Sequence, residues 1–103
     1  MELFEEVMKY FPVMENYAKK LFKKTPPEKR VGEWKNELAG EMIQWIWDEL
    51  LDEHSILYQT FLQAGFTNKL DMSWCMFEWH MWDCRIKQCR KRISRADTPP
   101  AQE

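Results

Sequence analysis

The chain has 103 residues and a mass of 12.6 kDa, the size of a single domain. Its composition, 45% hydrophobic and 31% charged, excludes a disordered or low-complexity protein. Only three glycines are present, so glycine-rich phosphate-binding loops are absent from the sequence. We therefore expect one helical domain, residues 1–95. A disordered tail, residues 96–103, is expected after it because that stretch has no periodicity.

Charge is segregated along the chain, although the net charge is only −2. Residues 25–54 carry eight acidic and three basic residues, a net −5, whereas residues 85–103 carry six basic and two acidic residues, a net +4. This separation predicts either attraction between the two regions within the fold or different partners for each region.

Cysteine usage and the ends of the chain bear on the compartment. Three cysteines without a CxxC motif favour a reducing, intracellular location, either cytoplasmic or nuclear. The N-terminus is acidic and unlike a signal peptide, and no stretch approaches 18 uncharged apolar residues. We therefore expect no membrane partner.

Hydrophobic periodicity predicts an all-α fold, an irregular bundle of about four helices. The first helix is expected over Glu2–Lys24. It contains Pro12, and an internal proline removes a backbone hydrogen bond. Because the apolar stripe keeps its phase across Pro12, we expect a kink or a restart there. The second helix is expected from about Glu28 to Glu53, with an apolar arc that widens toward its end.

The third helix is predicted over Ile56–Ala64. Ser55 is a suitable N-cap, because its hydroxyl can accept a hydrogen bond from a free backbone N–H group in the first turn. Gly65 follows at the position where the backbone commonly takes a left-handed conformation after a helix. Phe66 can supply the hydrophobic contact of a Schellman-type ending.

The fourth helix, Lys69 to about Ser94 with Asn68 as N-cap, has two apolar arcs on opposite sides. The shorter arc contains Leu70, Trp74, Phe77, Met81 and Cys84. The longer arc contains Met72, Cys75, Met76, Trp79, Trp82, Ile86, Cys89 and Ile93. One helix cannot bury both arcs against a single layer, so either it is central or one arc meets another molecule. We expect the longer arc to be partly exposed and to close against another chain, most commonly in a two-fold homodimer.

Aromatic and methionine content carries the functional prediction. Six tryptophans and seven methionines suit adaptable apolar contacts, which indicates a non-enzymatic protein–protein interaction or adaptor module that self-associates. The predicted partner-binding residues are Met72, Met76, Trp79, Trp82, Ile86 and Trp47. The predicted core residues, which lie on the central lines of their stripes, are Leu21, Leu38, Met42, Ile46, Phe61 and Phe77.

Two alternatives stay open. A nucleic-acid-associated regulatory protein would use the basic end of the fourth helix for weak, salt-dependent phosphate contacts. Its contact residues would be Arg85, Lys87, Arg90, Lys91, Arg92 and Arg95. A zinc-stabilised domain would use the i,i+4 pair His80 and Cys84 with His54, which is short of the four ligands that tetrahedral zinc takes. We therefore expect no metal or other cofactor.

One resemblance covers a small part of the chain. The matching pieces are Tyr10–Pro12 and the stretch from His80 to Arg92, which contains a histidine, a cysteine and a basic continuation. In their order they resemble small lentiviral accessory adaptors. That resemblance implies an adaptor role, and it carries no zinc ligand or partner over to this chain, because the spacing of His and Cys departs from that pattern.

Overall fold

The computed structural model describes the backbone of residues 2–96 and the side chains of residues 2–91. Within that part the fold is all-α, as predicted, with no strand. Its helices are α1 (Glu2–Met8), α2 (Phe11–Lys24), α3 (Trp34–Trp45), α4 (Ile56–Gln63) and α5 (Lys69–Ala96). The predicted tail, residues 96–103, lies outside the described residues except for Ala96, which ends α5. None of the described helices combines the length and apolar character needed to cross a bilayer.

The first predicted helix is two helices, which is why the structure has five helices rather than about four. α1 closes with a turn in which the Tyr10 N–H donates to the Val7 carbonyl oxygen at 3.0 Å. α2 then begins at Phe11 and has Pro12 in its first turn. A proline is tolerated there because first-turn N–H groups have no partner within the helix. The chain therefore restarts just before the proline, one of the two outcomes expected at this point.

The second predicted helix begins later than expected and ends differently. A short 3₁₀ turn, Pro27–Lys29, and a left-handed Gly32, with φ of +63°, precede α3. At its other end α3 continues into a π turn, Ile46–Leu50. The Leu51 N–H donates to the Ile46 carbonyl oxygen at 3.1 Å, which is the i to i+5 bond of a π turn.

The predicted ending of α4 is confirmed. Gly65 has φ of +101°, and its N–H donates to the Leu62 carbonyl oxygen at 3.1 Å. The Phe66 N–H donates to the Phe61 carbonyl oxygen at 3.1 Å, and the two phenyl rings meet edge to face with centroids 5.0 Å apart. These two bonds and the ring contact make a Schellman ending.

Both predicted N-caps are also confirmed. The Ser55 hydroxyl accepts a hydrogen bond from the Tyr58 N–H at 3.1 Å. The Asn68 side-chain oxygen accepts one from the Asp71 N–H at 2.9 Å. Each cap fixes the residue at which the helix begins, and the cap at Asn68 sets the start of α5.

The core is a cluster of buried apolar side chains drawn from all five helices, with α1 packed on α4, α2 on α3, and α5 on α3 and the π turn. Its members are Leu3, Val7, Phe11, Met14, Leu21, Met42, Ile46, Leu51, Leu57, Phe61, Met72 and Met76. Four of the six predicted core residues belong to it. The other two, Leu38 and Phe77, are only half-buried, so the prediction is wrong for them.

None of the six tryptophans belongs to this core. The Cα positions extend over 55 × 36 × 18 Å. A helix with its side chains is about 10–12 Å across, so the smallest dimension holds about two layers of helices. Large side chains that point away from the shared interface therefore have no third layer to cover them.

Candidate functional site

The buried side of α5 is not the one that the sequence predicted. Met72 and Met76 are fully buried, and His80 is 3% exposed. The prediction that Met72 and Met76 lie on an exposed partner-binding arc is therefore wrong. On this side the Phe11 ring of α2 packs against His80, and α3 and its π turn also contact α5. Helical spacing shows which residues share a face but does not show which face meets a neighbouring helix.

The other predicted partner-binding residues are divided. Trp82, at 61% exposure, and Ile86 lie on the solvent side of α5. Trp79 is half-buried because its ring meets the edge of Phe4, with centroids 5.1 Å apart. Trp47 in the π turn is also half-buried. Of the predicted arc, Trp82 and Ile86 are therefore exposed and Trp79 is partly exposed, whereas Met72 and Met76 are buried.

The shorter arc of α5 faces an open groove between α2, α3 and α5, which we call the apolar groove. Its cavity volume is about 220 Å³, and apolar side chains make up most of its lining. The principal ones are Phe22, Trp34, Leu38, Ala39, Phe77 and Met81. Leu38 and Phe77 are only half-buried because they line this opening rather than the closed core.

Apolar surface continues from the groove along α5. The Trp74 ring meets the edge of Phe77 with centroids 6.1 Å apart, and Trp74 is 46% exposed. Phe77, Met81 and Trp82 share a neighbouring depression of about 320 Å³. Apolar side chains therefore extend from the groove to exposed Trp74 and to exposed Trp82.

Cations stand at the edge of this apolar surface. The Arg30 guanidinium lies over the Phe22 ring at 3.9 Å from its centroid and donates to the Phe22 carbonyl oxygen at 2.9 Å. Lys35 lines the groove, and Arg85 lines the depression beside Trp82 together with the acidic Glu78. The rim is therefore mainly basic.

The basic end of α5 is exposed on all sides. Every described side chain from Arg85 to Lys91 is exposed, and Lys87 pairs with Asp83 of the same helix at 2.9 Å. The side chains of Arg92 and Arg95 lie outside the described residues. Within the part that is described, no ion pair joins this end to the acidic α3. Nucleic-acid binding by these residues stays a prediction.

The predicted His80–Cys84 pair is present on α5. The Nε2 atom of His80 lies 3.7 Å from the Cys84 sulfur, and the His80 ring packs against Phe11. Burial raises the pKa of the Cys84 thiol, and the charges of Glu15 and Asp83 raise it further. Because a nucleophile or metal ligand needs the thiolate, this environment disfavours both roles.

Other candidate ligands do not converge on this pair. His54 is exposed in the connection between the π turn and α4. Cys75 is half-buried, and desolvation raises its thiol pKa to about 11. Among the residues that the structure describes, no group of three His, Cys, Asp or Glu side chains could hold a metal ion. The three candidate zinc ligands are thus not brought together.

The apolar groove offers apolar contact. A cavity of about 220 Å³ is smaller than the roughly 300–1,000 Å³ of small-molecule pockets, and it suits a few side chains of a docked segment. The apolar residues Phe22, Trp34, Trp74 and Met81 at this surface were not predicted from the sequence. The available signals were the shorter arc of α5 and a tryptophan count too high for one small core. Comparison with family models, curated proteins and solved structures gave no match.

Proposed function

We propose that this chain is a non-enzymatic interaction module that binds an amphipathic helix of a partner protein in the apolar groove. The observation that carries the proposal is the apolar surface at the groove, where Trp74 and Met81 are exposed and Trp34 is half-buried. Contiguous apolar patches on small proteins mark interaction sites, and tryptophan and methionine are enriched in such interfaces.

A helix is the partner element that this surface fits best. Three helices form the floor and walls of the groove, and α5 presents Leu70, Trp74, Phe77 and Met81 at spacings of three and four residues. Residues at this spacing form a ridge, and a second helix packs its own apolar ridge beside such a row. A docked helix would supply the third layer that the two-layer fold lacks.

Charge specifies the partner helix further. Arg30, Lys35 and Arg85 stand at the edge of the apolar surface, with Glu78 beside Arg85. A helix that carries acidic residues next to its apolar stripe would be complementary to this rim. The proposed partner is therefore an acidic amphipathic helix.

Binding of a defined peptide tests the proposal. The probe is a labelled helical peptide with a leucine stripe flanked by glutamates, and the control peptide has the same composition in an order that breaks the stripe. We expect fluorescence anisotropy to show saturable binding of the striped peptide and much weaker binding of the control. Equal binding of both peptides, or binding of neither, would contradict the proposal.

Two variants of α5 locate the site. Met81 lines the groove at 37% exposure, whereas Ile86 is 45% exposed on the same helix outside it. Met81→Glu should weaken peptide binding by about tenfold or more, equivalent to about 1.4 kcal/mol. Ile86→Glu adds the same charge at similar exposure and should leave the affinity near the wild-type value. Circular dichroism checks that both variants fold, and equal losses in both would place binding elsewhere.

A further inference from the structure

A second groove lies between α2 and α3, on the side away from α5. We call it the acidic groove, and its cavity volume is about 510 Å³. Its lining includes Tyr17, Gly40, Glu41, Trp45, Asp48 and Glu49. The Tyr17 and Trp45 rings stack with centroids 4.1 Å apart and planes within 9° of parallel. This groove shares only Leu21 with the lining of the apolar groove.

Its carboxylates have no cationic partner within the described part of the chain. Glu41, Asp48 and Glu49 are exposed, and none of them forms an ion pair there, although Lys24 also lines the groove. Asp48 accepts hydrogen bonds from the Gln44 amide nitrogen at 3.1 and 3.2 Å. The pKa of Tyr17 is raised by burial and then by the charges of Glu41 and Glu49, so the negative potential reaches the aromatic floor.

Gly40 keeps this groove open. It lies within α3, where glycine costs about 1 kcal/mol of helix stability relative to alanine. A Cβ atom at this position would meet no atom within 4 Å, so the fold itself does not require glycine. The π turn that follows supplies Asp48 and Glu49 to the same groove, and π turns occur often at functional sites.

The complementary charge is found at the end of α5. Arg85, Arg90 and Lys91 are exposed and form no ion pair with any described residue. Among the described side chains, none of residues 85–91 forms an ion pair with the acidic residues 25–54. Their attraction is thus available for contact between two copies.

We propose that the acidic groove binds the exposed basic residues Arg90 and Lys91 of α5 from a second copy of this chain. The Arg90 guanidinium would stack on the Tyr17–Trp45 pair and hydrogen-bond to the carboxylates of Glu41 and Glu49. The contact joins different surfaces of the two copies, so it is head to tail and closes into a ring or continues as a linear assembly. Apart from Leu21, the acidic groove uses none of the residues that line the apolar groove, and the contact stands independently of the proposed function.

Solution mass as a function of salt is the first test. Sedimentation velocity at low ionic strength should give a mean mass above that of the monomer. The mass should fall toward the monomer as salt rises to about 1 M, where the screening length shrinks to about 3 Å. A wild-type chain that is monomeric at low salt, or an assembly that salt leaves unchanged, would overturn the proposal.

Three variants connect the assembly to the two surfaces. Gly40→Leu adds a side chain to the groove at a position where a Cβ atom has open space, and Arg90→Glu with Lys91→Glu reverses the charge of the basic end. Both should be folded monomers at low salt. Lys20→Glu with Lys23→Glu makes the same charge change at exposed α2 positions outside the acidic groove and should still assemble. Assembly of either test variant, or loss of assembly in this control, would refute the contact.

Mixing the two monomeric variants gives the sharpest result. Gly40→Leu keeps its basic end, and the Arg90→Glu, Lys91→Glu chain keeps its acidic groove. An equimolar mixture should therefore form a heterodimer that grows no further.

A charge exchange provides a second check. Adding Glu41→Lys and Glu49→Lys to the chain that already carries Arg90→Glu and Lys91→Glu should restore self-assembly. A mixture that stays monomeric, or an exchange that restores nothing, would rule the contact out. If Met81→Glu instead abolished assembly, the copies would meet through the apolar groove and the proposal would fail.

Discussion

His80 is a polar side chain enclosed on the inner side of α5. One ring nitrogen, Nε2, faces the Cys84 sulfur, while Nδ1 has no hydrogen-bond partner among the described residues. Burial lowers the pKa of His80, and nearby Lys87 lowers it further, while the carboxylates of Glu15 and Asp83 act in the opposite direction. Burial is the largest of these effects, so the neutral imidazole is the form that the fold accepts.

This environment predicts a specific pH dependence of stability. In the unfolded chain His80 takes up a proton near the ordinary value of 6.5, whereas in the folded chain it does so at lower pH. Between these two values the unfolded state binds more protons, so the free energy of unfolding falls as pH decreases below 6.5. The slope from this group is at most about 1.4 kcal/mol per pH unit. Urea unfolding at a series of pH values measures it.

Two histidine variants separate this contribution from that of the carboxylates. His80→Phe removes the buried titrating group and should flatten the pH dependence just below 6.5. His54→Gln changes an exposed histidine and should leave the slope as in the wild type. A His80→Phe chain with the wild-type slope would show that His80 is not the group responsible.

Helix ends were the part of the fold that the sequence predicted best. Ser55, Asn68 and Gly65 act on backbone groups a few residues away, so their effect is written in local sequence. The start of α3 and the π turn at Ile46–Leu50 were not predicted. Both depend on how α3 fits against α2 and α5, which periodicity does not report.

Periodicity also does not show which face of α5 is buried, and this explains the wrong prediction for that helix. Its two apolar arcs were identified correctly as sets of residues on opposite faces, but Met72 and Met76 turned inward while Trp74 and Met81 turned outward. The choice depends on which helices lie against each face, and Phe11 of α2 packs against His80 on the inward face. Most of the apolar groove was missed for this reason, since three helices build it and no single one contains its pattern.

Two glycines test the backbone conformation, Gly65 just after α4 and Gly40 within α3. Gly65 has φ of +101°, a conformation that side chains disfavour, so Gly65→Ala should lower the free energy of unfolding by about 1–2 kcal/mol. Gly40 is helical with open space around it, so Gly40→Ala should raise that free energy by about 1 kcal/mol. Urea unfolding measures both changes. Shifts in the same direction would contradict the conformations described here.

The arrangement of the bundle as two layers links these local features to function. Its closed side contains the methionine- and leucine-rich core, while the tryptophans lie partly or largely at the surface. The apolar groove and the acidic groove are lined by different side chains of α2 and α3, apart from Leu21, and they differ in charge. One chain could therefore contact a partner helix and a second copy of itself at the same time, because the two contacts use different surfaces.

The methionine methyl groups report directly on which surface binds. Met42 and Met81 line the apolar groove, whereas Met8 is 45% exposed on α1, outside that lining. With the methyl groups labelled and their NMR signals assigned, the striped acidic peptide should shift the Met42 and Met81 signals along a saturable curve and leave Met8 in place. A titration that moves Met8 as far as Met81, or one that moves neither groove methionine, would contradict docking in the apolar groove.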